Sequence, residues 1–295
     1  MLPSDERRYV SPQQVARALG VSETTVKRWV DEGKLPASRT EGGHRKILAR
    51  DVMEYVARRN WPHVNLSQLV GETAAVSPVD VPALAGRFHE ALLAEDAERA
   101  REMVLRAHQS GLSAAHLADE VVSPVMAQVG HGWAGGQLDV YEEHRATQVC
   151  LAAMLALKAR LESANQPPRG RPLALGGGPE FDHYILANLA VEMTLRESGW
   201  RVRNVGPNTP FASFRRAMAD EKPTLVWLSC SYLADVEGFL AGYQAMYAEA
   251  VRLGAAVAVG GRALTDSVRS RMTFTHHGDR MSHLVAFARR LDSRR

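Results

Sequence analysis

Leu173-Ala-Leu-Gly-Gly-Gly-Pro-Glu-Phe-Asp-His183 is a short apolar run that leads through three glycines into a polar loop, and the amphipathic segment Tyr184–Glu197 follows it. An apolar run bounded by glycine predicts a buried strand, so this order indicates a strand followed by a helix. The same order recurs in Arg201–Val205 with Phe211–Ala219, Thr224–Leu228 with Val236–Leu253, and Ala255–Val259 with a final helix at Met281–Leu291. Strand-helix alternation predicts an α/β domain over residues 170–295, with a doubly wound parallel sheet of the Rossmann-like (flavodoxin-like) kind.

Small and polar residues follow the predicted strands. Sheets of this class bind ligands at the carboxyl ends of their strands, so we expect Gly176–His183, Ser229–Leu233 and Gly260-Gly261 to line one rim. Small residues there leave a slot open between strand ends, and the hydroxyl of Ser229 or Ser231 can bond a heterocycle nitrogen inside it. Glycines at a strand end are equally compatible with a simple turn.

The loop after the first of these strands holds a candidate metal ligand, His183. A histidine on a strand-to-helix loop can present one ring nitrogen to a metal while Asp182 or Glu180 fixes the tautomer through the other nitrogen. A loop histidine that binds nothing explains the same residues. A phosphate loop is disfavoured, because the glycines lack the G-x-G-x-x-G spacing and no Walker lysine follows.

Residues 78–165 are helix-like, with turn signals at Ser110-Gly111, Ser123-Pro124 and Trp133-Ala-Gly-Gly136. This pattern predicts four or five helices packed as a four-helix bundle. Trp133 offers a large flat apolar cover, and the carboxylate of Glu143, next to His144, can accept hydrogen bonds from ribose hydroxyls. Taken alone, these three residues are equally typical of a core tryptophan beside a surface pair.

The first 62 residues have the pattern of a winged helix-turn-helix domain. Ser11-Pro12-Gln13-Gln14 combines an N-cap, a first-turn proline and a capping box, and Gly20 and Ser22 separate a first helix from a second. The second helix turns Val26, Trp29 and Val30 inward. The side chains that this leaves on its outer face suit contacts with DNA bases and phosphates, and they include Thr24, Thr25, Lys27 and Arg28.

A two-glycine hairpin after Leu35-Pro36 predicts the wing. Its polar residues are candidates for DNA phosphate or minor-groove contacts: Arg39, His44, Arg45 and Lys46. Residues 1–60 carry twelve Lys/Arg against eight Asp/Glu, a local excess that is typical of a domain with a polyanionic partner, here double-stranded operator DNA. A merely solvated charged face is the alternative.

Composition bounds the class of protein. The chain has 295 residues, 45% hydrophobic and 23% charged, with a net charge of +3, which is typical of a multidomain globular protein. Asn60 to Pro82, with three prolines and no sustained period, has the pattern of an interdomain linker. No secretory signal or membrane span is indicated, so we expect a cytoplasmic protein whose Cys150 and Cys230 are buried free thiols. Paired carboxylates and nucleophile motifs are absent, which disfavours an enzyme.

These segments carry a family resemblance. Ser11–Trp29 and Gly42-Gly43-His44-Arg45 resemble the MerR and excisionase-type winged helix-turn-helix family. The whole chain resembles the CarH/LitR family of adenosylcobalamin-dependent photoreceptor regulators, most clearly in a Trp133, nine residues, Glu143-His144 motif. The resemblance implies that Trp133 and Glu143 cover the adenosyl group and that His183 is the lower axial cobalt ligand. It also implies that Ser229 and Gly260-Gly261 flank the dimethylbenzimidazole tail.

The sequence departs from the family pattern at several positions. The family's Asp-x-His-x-x-Gly has Phe181 in place of the aspartate and Leu186 in place of the glycine that leaves room for the tail. Ser231 replaces the leucine of a Ser-x-Leu pair. Ala134 stands where a second histidine captures cobalt after illumination, with His131 and His144 as substitutes.

The resemblance implies a repressor that assembles as a homotetramer on DNA in the dark and leaves DNA when light breaks the cobalt–carbon bond. Three alternatives stay open from the sequence. One is a regulator that responds to cobalamin or another tetrapyrrole without light, and a second is a family member that has lost cofactor binding. The third, a corrinoid carrier of an enzyme system, is disfavoured by the N-terminal DNA-binding pattern.

Overall fold

The computed structural model of the protein describes residues 9–19, 21–39, 45–58, 79–164 and 167–293. By its contacts the chain divides into two units, Met1–Pro78 and Val79–Arg295. In its described residues, the first unit contains a three-stranded antiparallel sheet in the order β1-β3-β2 and three helices. Its described elements are β1 (Tyr9–Val10), α1 (Pro12–Leu19), α2 (Glu23–Asp31), β2 (Ala37–Arg39), β3 (Arg45–Leu48) and α3 (Ala49–Arg58).

Local hydrogen bonds confirm the predicted helix starts in the first unit. Ser11 Oγ accepts from Gln14 N at 3.2 Å, and Gln14 Oε1 accepts from Ser11 N at 2.7 Å, which is the reciprocal capping box. Ser22 caps α2 by accepting from Thr25 N. The side chains of Val26 and Trp29 are buried as predicted, and the Trp29 ring lies 5.3 Å from that of Tyr55 on α3. These contacts hold α2 in a fixed orientation on the small core.

The second unit begins with a helical bundle. Its described helices are α4 (Val81–Leu93), α5 (Ala97–Gln109), α6 (Ala114–Leu117), a π-helical turn (Ala118–Val122), α7 (Ser123–Ala134) and α8 (Val140–Ala164). The turns predicted at Ser110-Gly111 and after Trp133 are present. The break predicted at Ser123-Pro124 is wrong, because the π-helical turn leads directly from α6 into α7. Pro124 occupies the first turn of α7, directly after the π-helical turn, where it cannot donate a backbone hydrogen bond to the preceding turn.

A five-stranded parallel sheet in the order β5-β4-β6-β7-β8 forms the rest of the second unit. Its described elements are β4 (Leu173–Pro179), α9 (Leu186–Glu197), β5 (Arg201–Thr209), α10 (Phe211–Glu221), β6 (Leu225–Ser229), α11 (Val236–Arg252), β7 (Ala256–Gly260), α12 (Asp266–Arg269), β8 (His276–His277) and α13 (Met281–Asp292). The strand-helix alternation is confirmed. Sequence analysis missed the edge strand β8, because two histidines form no apolar run.

The three glycines of β4 have a packing role. Gly176 faces the indole of Trp227 on the neighbouring strand, and a Cβ there would stand 2.1 Å from the Trp227 carbonyl oxygen and 2.3 Å from its ring. A Cβ on Gly177 would stand 2.3 Å from the carbonyl oxygen of Gly206 on the other neighbour, β5. The glycines therefore let a bulky tryptophan pack at the centre of the sheet.

Helix α9 of the Rossmann-like layer packs into the core of the bundle, and the two layers exchange helix caps. Leu189 and Met193 of α9 belong to the core of the bundle. Asp119 of the π-helical turn accepts from the backbone N–H groups of Met281 and Ser282 at 2.7 and 3.0 Å, which caps the start of α13. In the opposite direction, Glu197 at the end of α9 accepts from Ala114 N, at the start of α6, at 2.8 Å. Each layer thus satisfies orphan N–H groups of the other.

The order of architectures confirms the predicted fold class of winged helix-turn-helix, helical bundle and Rossmann-like parallel sheet. Cys150 and Cys230 are buried and free, as predicted. Burial raises the pKa of the Cys150 thiol to about 12, so it is protonated at neutral pH. Within the described residues, no helix combines the length and the apolar character that crossing a membrane requires.

Candidate functional site

A cavity of about 600 Å³ lies at the carboxyl ends of β6 and β7. The four small residues predicted for this rim all line it: Ser229, Ser231, Gly260 and Gly261. Trp227 contributes to one wall and His276 of β8 to another. The slot that the sequence predicted between strand ends is therefore present, and it is large enough to hold a heterocyclic group.

Close backbone contacts shape the rim of this cavity. Gly261 has φ +110°, and a Cβ on it would stand 2.2 Å from the carbonyl oxygen of Cys230. Cys230 N donates to the carbonyl oxygen of Gly260 at 2.8 Å, and Ala263 N donates to that of Cys230 at 3.0 Å. The segments after β6 and β7 are thus held against each other, and only glycine fits at position 261.

Asp182 anchors the loop that carries His183. The Asp182 side chain is buried, with 1% of the residue exposed. Its Oδ1 accepts from Tyr184 N at 3.0 Å, and its Oδ2 accepts from Ser231 N at 2.6 Å and Tyr232 N at 3.2 Å. Both oxygens are therefore engaged by backbone N–H groups, so Asp182 joins two rim loops instead of bonding the His183 ring. Its negative charge also raises the pKa of the Cys230 thiol, although burial has the larger effect.

The rest of this loop is open to solvent. His183 and Glu180 are exposed. Phe181, which replaces the aspartate of the family pattern, has φ +69°, and its N–H donates to Asn208 Oδ1 at 2.7 Å. Phe181 and Tyr184 leave about half of their surface exposed. The loop thus exposes an imidazole and two aromatic side chains, a set of groups that suits a large, flat ligand.

Leu186 does not block the cavity. It packs against the core of the bundle, and α9 contributes Ala187 and Val191 to the cavity wall instead. The glycine of the family pattern is therefore replaced here by a residue that faces the bundle. A small side chain, Ala187, occupies the position beside the cavity.

The bundle residues of the candidate site lie near the junction of α7 and α8. Trp133 is 51% exposed, and the neighbouring Val140 and Tyr141 are also large exposed hydrophobic residues. Glu143 accepts from Thr147 Oγ1 at 3.0 Å, and its other oxygen lies 3.7 Å from His144 Nε2. The structure thus leaves an apolar surface beside a carboxylate that a neighbouring hydroxyl orients.

The two histidines suggested as substitutes for position 134 differ in placement. His131 lines a groove between α4 and α7, together with His89. Residues two positions apart in an α-helix are separated by about 200° around its axis. Trp133 therefore projects from the side of α7 opposite to His131. The His144 side chain is 72% exposed and follows Glu143 directly. His144 is therefore the substitute that lies beside the candidate site.

A buried polar chain that sequence analysis missed starts at the cavity wall. Trp227 Nε1 donates to Asn188 Oδ1 at 2.9 Å, and Asn188 Nδ2 donates to Asn204 Oδ1 at 2.8 Å. Asn204 Nδ2 then donates to Glu192 Oε2 at 2.8 Å. The hydrogen bonds fix the indole ring of Trp227, so they determine the shape of the cavity.

The same chain ends on the bundle. Glu192 Oε1 lies 3.0 Å from both Lys158 Nζ on α8 and Arg196 Nη2. Burial opposes ionisation of Glu192, but hydrogen bonds from Asn204, Lys158 and Arg196 outweigh it and lower the carboxyl pKa below its ordinary 4.5. In the sequence, this polar chain is visible only as Asn188 and Glu192, two polar residues four positions apart on α9. That spacing gives no information about partners on other elements.

His276 is a second wall residue that sequence analysis missed. Its ring stacks on Phe287, with centroids 4.5 Å apart. Burial, followed by the nearby His277, lowers its pKa, so the ring is neutral at pH 7. Its Nε2 is buried and has no hydrogen-bond partner among the described residues. A neutral imidazole with an unused nitrogen is a polar group available beside the cavity.

The predicted DNA-binding residues of α2 are largely accessible. Thr24, Lys27 and Arg28 are exposed, whereas Thr25 is partly buried because its hydroxyl lies 2.8 Å from Ser22 Oγ in the helix cap. Lys27 also pairs with Glu23 one turn earlier, at 2.8 Å. The exposed face of α2 thus carries the side chains that a recognition helix needs.

The wing residues are only partly described. Lys46 is exposed, and Arg39 faces Arg45 across the β2–β3 register. Arg45 Nη2 donates to Asp31 Oδ1 at 2.7 Å, which ties β3 to the end of α2. His44 and the tip of the predicted hairpin lie outside the described residues.

Family models match most of the chain in three blocks. A helix-turn-helix domain model matches residues 9–60, and two models described as B12 binding domains match residues 84–158 and 172–274. The first block covers the winged domain, the second the bundle, and the third the parallel sheet. The chain therefore consists of a domain of the DNA-binding helix-turn-helix type and two domains of the cobalamin-binding type.

Two curated relatives match about three quarters of this chain and a similar share of their own length. The HTH-type transcriptional repressor CarA of Myxococcus xanthus is 26% identical over 224 residues, which is 73% of this chain and 74% of that protein. The HTH-type transcriptional repressor CarH of the same organism is 28% identical over 246 residues, 76% of this chain and 79% of that protein. Both relatives are repressors, which confirms the prediction of a regulator that is not an enzyme.

The solved structure of the Methanosarcina barkeri monomethylamine corrinoid protein has a similar fold. It superposes with a TM-score of 0.59 at 16% identity, over 70% of this chain and 97% of that one. A helix-turn-helix domain followed by two B12-binding domains, with repressor relatives over three quarters of the chain, confirms the resemblance to the CarH/LitR family of regulators.

Proposed function

We propose that this protein is a light-sensing repressor that binds adenosylcobalamin and operator DNA. The observation that carries the proposal is the cavity of about 600 Å³ at the ends of β6 and β7, bounded by Ser229, Ser231, Gly260 and Gly261. Its wall includes Ala187, close in sequence to the exposed His183. A cavity that can hold a heterocyclic tail, together with an accessible imidazole on the loop after β4, is the combination that a corrinoid requires.

The residues present fit this group. The rim is built of small side chains, and Gly261 sits where a Cβ would collide with the backbone of Cys230. Ser229 and Ser231 bring hydroxyls to the cavity, and His276 has a buried Nε2 without a partner in the described part of the chain. Polar groups of this kind can bond the nitrogen and sugar atoms of a nucleotide tail.

The proposed roles of the site residues follow from their placement. His183 would hold the cobalt, and Asp182 holds the His183 loop by accepting three backbone N–H bonds. Trp133 and Glu143 contact the adenosyl group from the bundle. Three further residues stay in the proposed site at its edges: Glu180, His144 and Ser231.

The proposed domain boundaries are 1–62 for DNA binding, 78–165 for the bundle and 170–295 for the Rossmann-like domain. The division of contacts between Pro78 and Val79 supports the start of the bundle at residue 78. Within the DNA-binding domain we assign DNA contacts to Thr24, Lys27, Arg28 and Lys46, with Thr25, Arg39 and Arg45 as supporting residues and His44 as a wing contact.

When bound, adenosylcobalamin supplies a cobalt–carbon bond that light breaks. In the dark, Trp133 and Glu143 hold the bundle in one position, and a homotetramer presents several recognition helices to the operator, which strengthens binding through multivalency. After illumination Trp133 loses its contacts, the bundle shifts, and the oligomer separates and leaves DNA. His144, exposed beside Glu143, would be the bundle residue that could bind cobalt after illumination.

The direct test compares the loaded protein in darkness and after green light. We expect the protein to elute from size exclusion as a larger oligomer in the dark and as a smaller species after illumination. Only the larger oligomer should bind operator DNA. Apoprotein carried through the same illumination is the control. An elution volume and DNA affinity that stay the same in both states would reject light sensing.

His183→Ala is expected to weaken cobalamin retention by at least about tenfold, because the protein loses its metal ligand while the tail cavity stays intact. The measurement is the red chromophore kept after desalting, together with the visible spectrum of the retained fraction. His131→Ala, in the groove between α4 and α7, is the matched control and should behave like wild type. Equal retention and an unchanged spectrum in His183→Ala would remove His183 from the site.

A light-independent cobalamin regulator is the second candidate. Two observations favour it. Ala134 cannot ligate cobalt, and His131 lies in a separate groove between α4 and α7. Such a protein would keep cobalamin after desalting, yet its oligomeric state and DNA affinity would respond to the loss of cobalamin and be insensitive to light.

A further inference from the structure

Three arginines line the cavity, and two of them are already paired. Arg269 forms an ion pair with Asp266, and Arg280 pairs with Glu120 on the π-helical turn. Arg262, which directly follows Gly260-Gly261, has no carboxylate partner among the described residues. The cavity therefore carries one positive charge that the described part of the protein leaves uncompensated.

Neither carboxylate of the cavity wall pairs with Arg262 in the described structure. Asp279 lies 3.2 Å from His277 Nε2, and Asp266 is held by Arg269 one helical turn away. A guanidinium keeps its charge at any physiological pH. Arg262 is therefore permanently cationic at the mouth of a cavity, which favours an anionic ligand.

Two contacts fix the orientation of Arg262. Its Nε donates to the carbonyl oxygen of Ser231 at 3.3 Å, and its Cζ lies 4.9 Å from the ring centroid of Tyr184. Stacking on an aromatic face holds the guanidinium plane. Since the hydrogen bond uses Nε alone, the N–H groups on both Nη atoms stay available in the described structure. The side chain thus connects the His183 loop with the rim and presents donors that are already oriented.

We propose that Arg262 binds the phosphodiester of the cobalamin nucleotide tail and so selects corrinoids that carry this tail. The inference rests on the proposed function. The peripheral side chains of the corrin ring are neutral amides, and the tail contains a single phosphodiester, so one unpaired arginine matches the charge of the ligand. A guanidinium with two free Nη groups suits two phosphate oxygens better than a lysine would.

The test compares two ligands on one variant. Cobinamide contains the corrin and cobalt but lacks the nucleotide tail. We expect Arg262→Gln to weaken adenosylcobalamin binding about tenfold in dark visible titrations, and to leave cobinamide affinity unchanged. A purely structural role, acting through Tyr184 and the His183 loop, would weaken both ligands alike.

Two further variants sharpen the result. Arg271→Gln is the matched control, because Arg271 is exposed and bound by Glu237 through two hydrogen bonds of 2.6 Å, and it should bind both ligands like wild type. Arg262→Lys keeps the charge and should recover part of the lost affinity. Equal losses for both ligands, or no loss for either, would overturn the assignment. Wild-type protein that binds neither corrinoid would instead reject the proposed function.

Discussion

Glu192→Ala is expected to lower the free energy of unfolding by about 3 kcal/mol, since removing one member of a buried ion-pair network leaves its partners unpaired. The Glu192 side chain is 3% exposed and binds Lys158, Arg196 and Asn204. The loss lies at the lower end for such networks, because Glu162 also contacts both cations, at 4.0 and 3.3 Å. Urea unfolding followed by the fluorescence of buried Trp200 and Trp227 measures the change.

Glu162→Ala is the matched control for this experiment. Glu162 contacts the same two cations, but its side chain is 44% exposed, so its removal should cost less than about 1 kcal/mol. The contribution of Glu192 also depends on pH. Its folded pKa lies below its ordinary 4.5, so the stabilisation is present above pH 4.5 and is lost as the pH falls through the folded pKa. Equal destabilisation by the two alanine variants would show that burial of Glu192 adds nothing.

Gly261→Ala is expected to destabilise the protein by about 3 kcal/mol through overpacking, and to abolish cobalamin retention. The new Cβ would stand 2.2 Å from the carbonyl oxygen of Cys230, so the segment between Ser229 and Ser231 has to move. That segment is a wall of the cavity. Retention of the chromophore after desalting and the urea midpoint together measure both effects.

Gly254→Ala separates collision from backbone strain. Gly254 also has a positive φ, +72°, but nothing lies within 4 Å of an added Cβ. Its substitution should cost only about 1 kcal/mol, the penalty of a left-handed residue, and should leave cobalamin retention as in wild type. If both alanine variants keep the chromophore, the close contact at Gly261 does not shape the ligand site.

Local patterns predicted the elements and the rim of the cavity. The capping box at Ser11, the N-cap at Ser22, the apolar runs of the strands and the small residues after β6 and β7 each act through neighbours in the chain. Their consequences are therefore visible in the sequence. The sequence alone does not show why residue 176 is a glycine. The reason is the Trp227 indole, which lies on another strand.

The remaining features depend on contacts between distant segments. Asn188 and Glu192 read as polar residues on an amphipathic helix, yet α9 is covered by both the sheet and α8, so they are buried and paired. Leu186 stood at the glycine of a family pattern, and only the structure shows that it faces the bundle. Arg262 became a candidate only when the partners of the other cavity arginines were known.

The exchange of helix caps between the two layers of the second unit constrains how this protein can be rebuilt. Asp119 serves a helix 162 residues further along the chain, and Glu197 serves one 83 residues earlier. In a chimera that takes either layer from another protein, one capping carboxylate would lose its N–H partners. The N–H groups at the start of the other helix would lose their capping carboxylate. Successful grafts must therefore transfer Asp119 and Glu197 together with the helix starts at Met281 and Ala114.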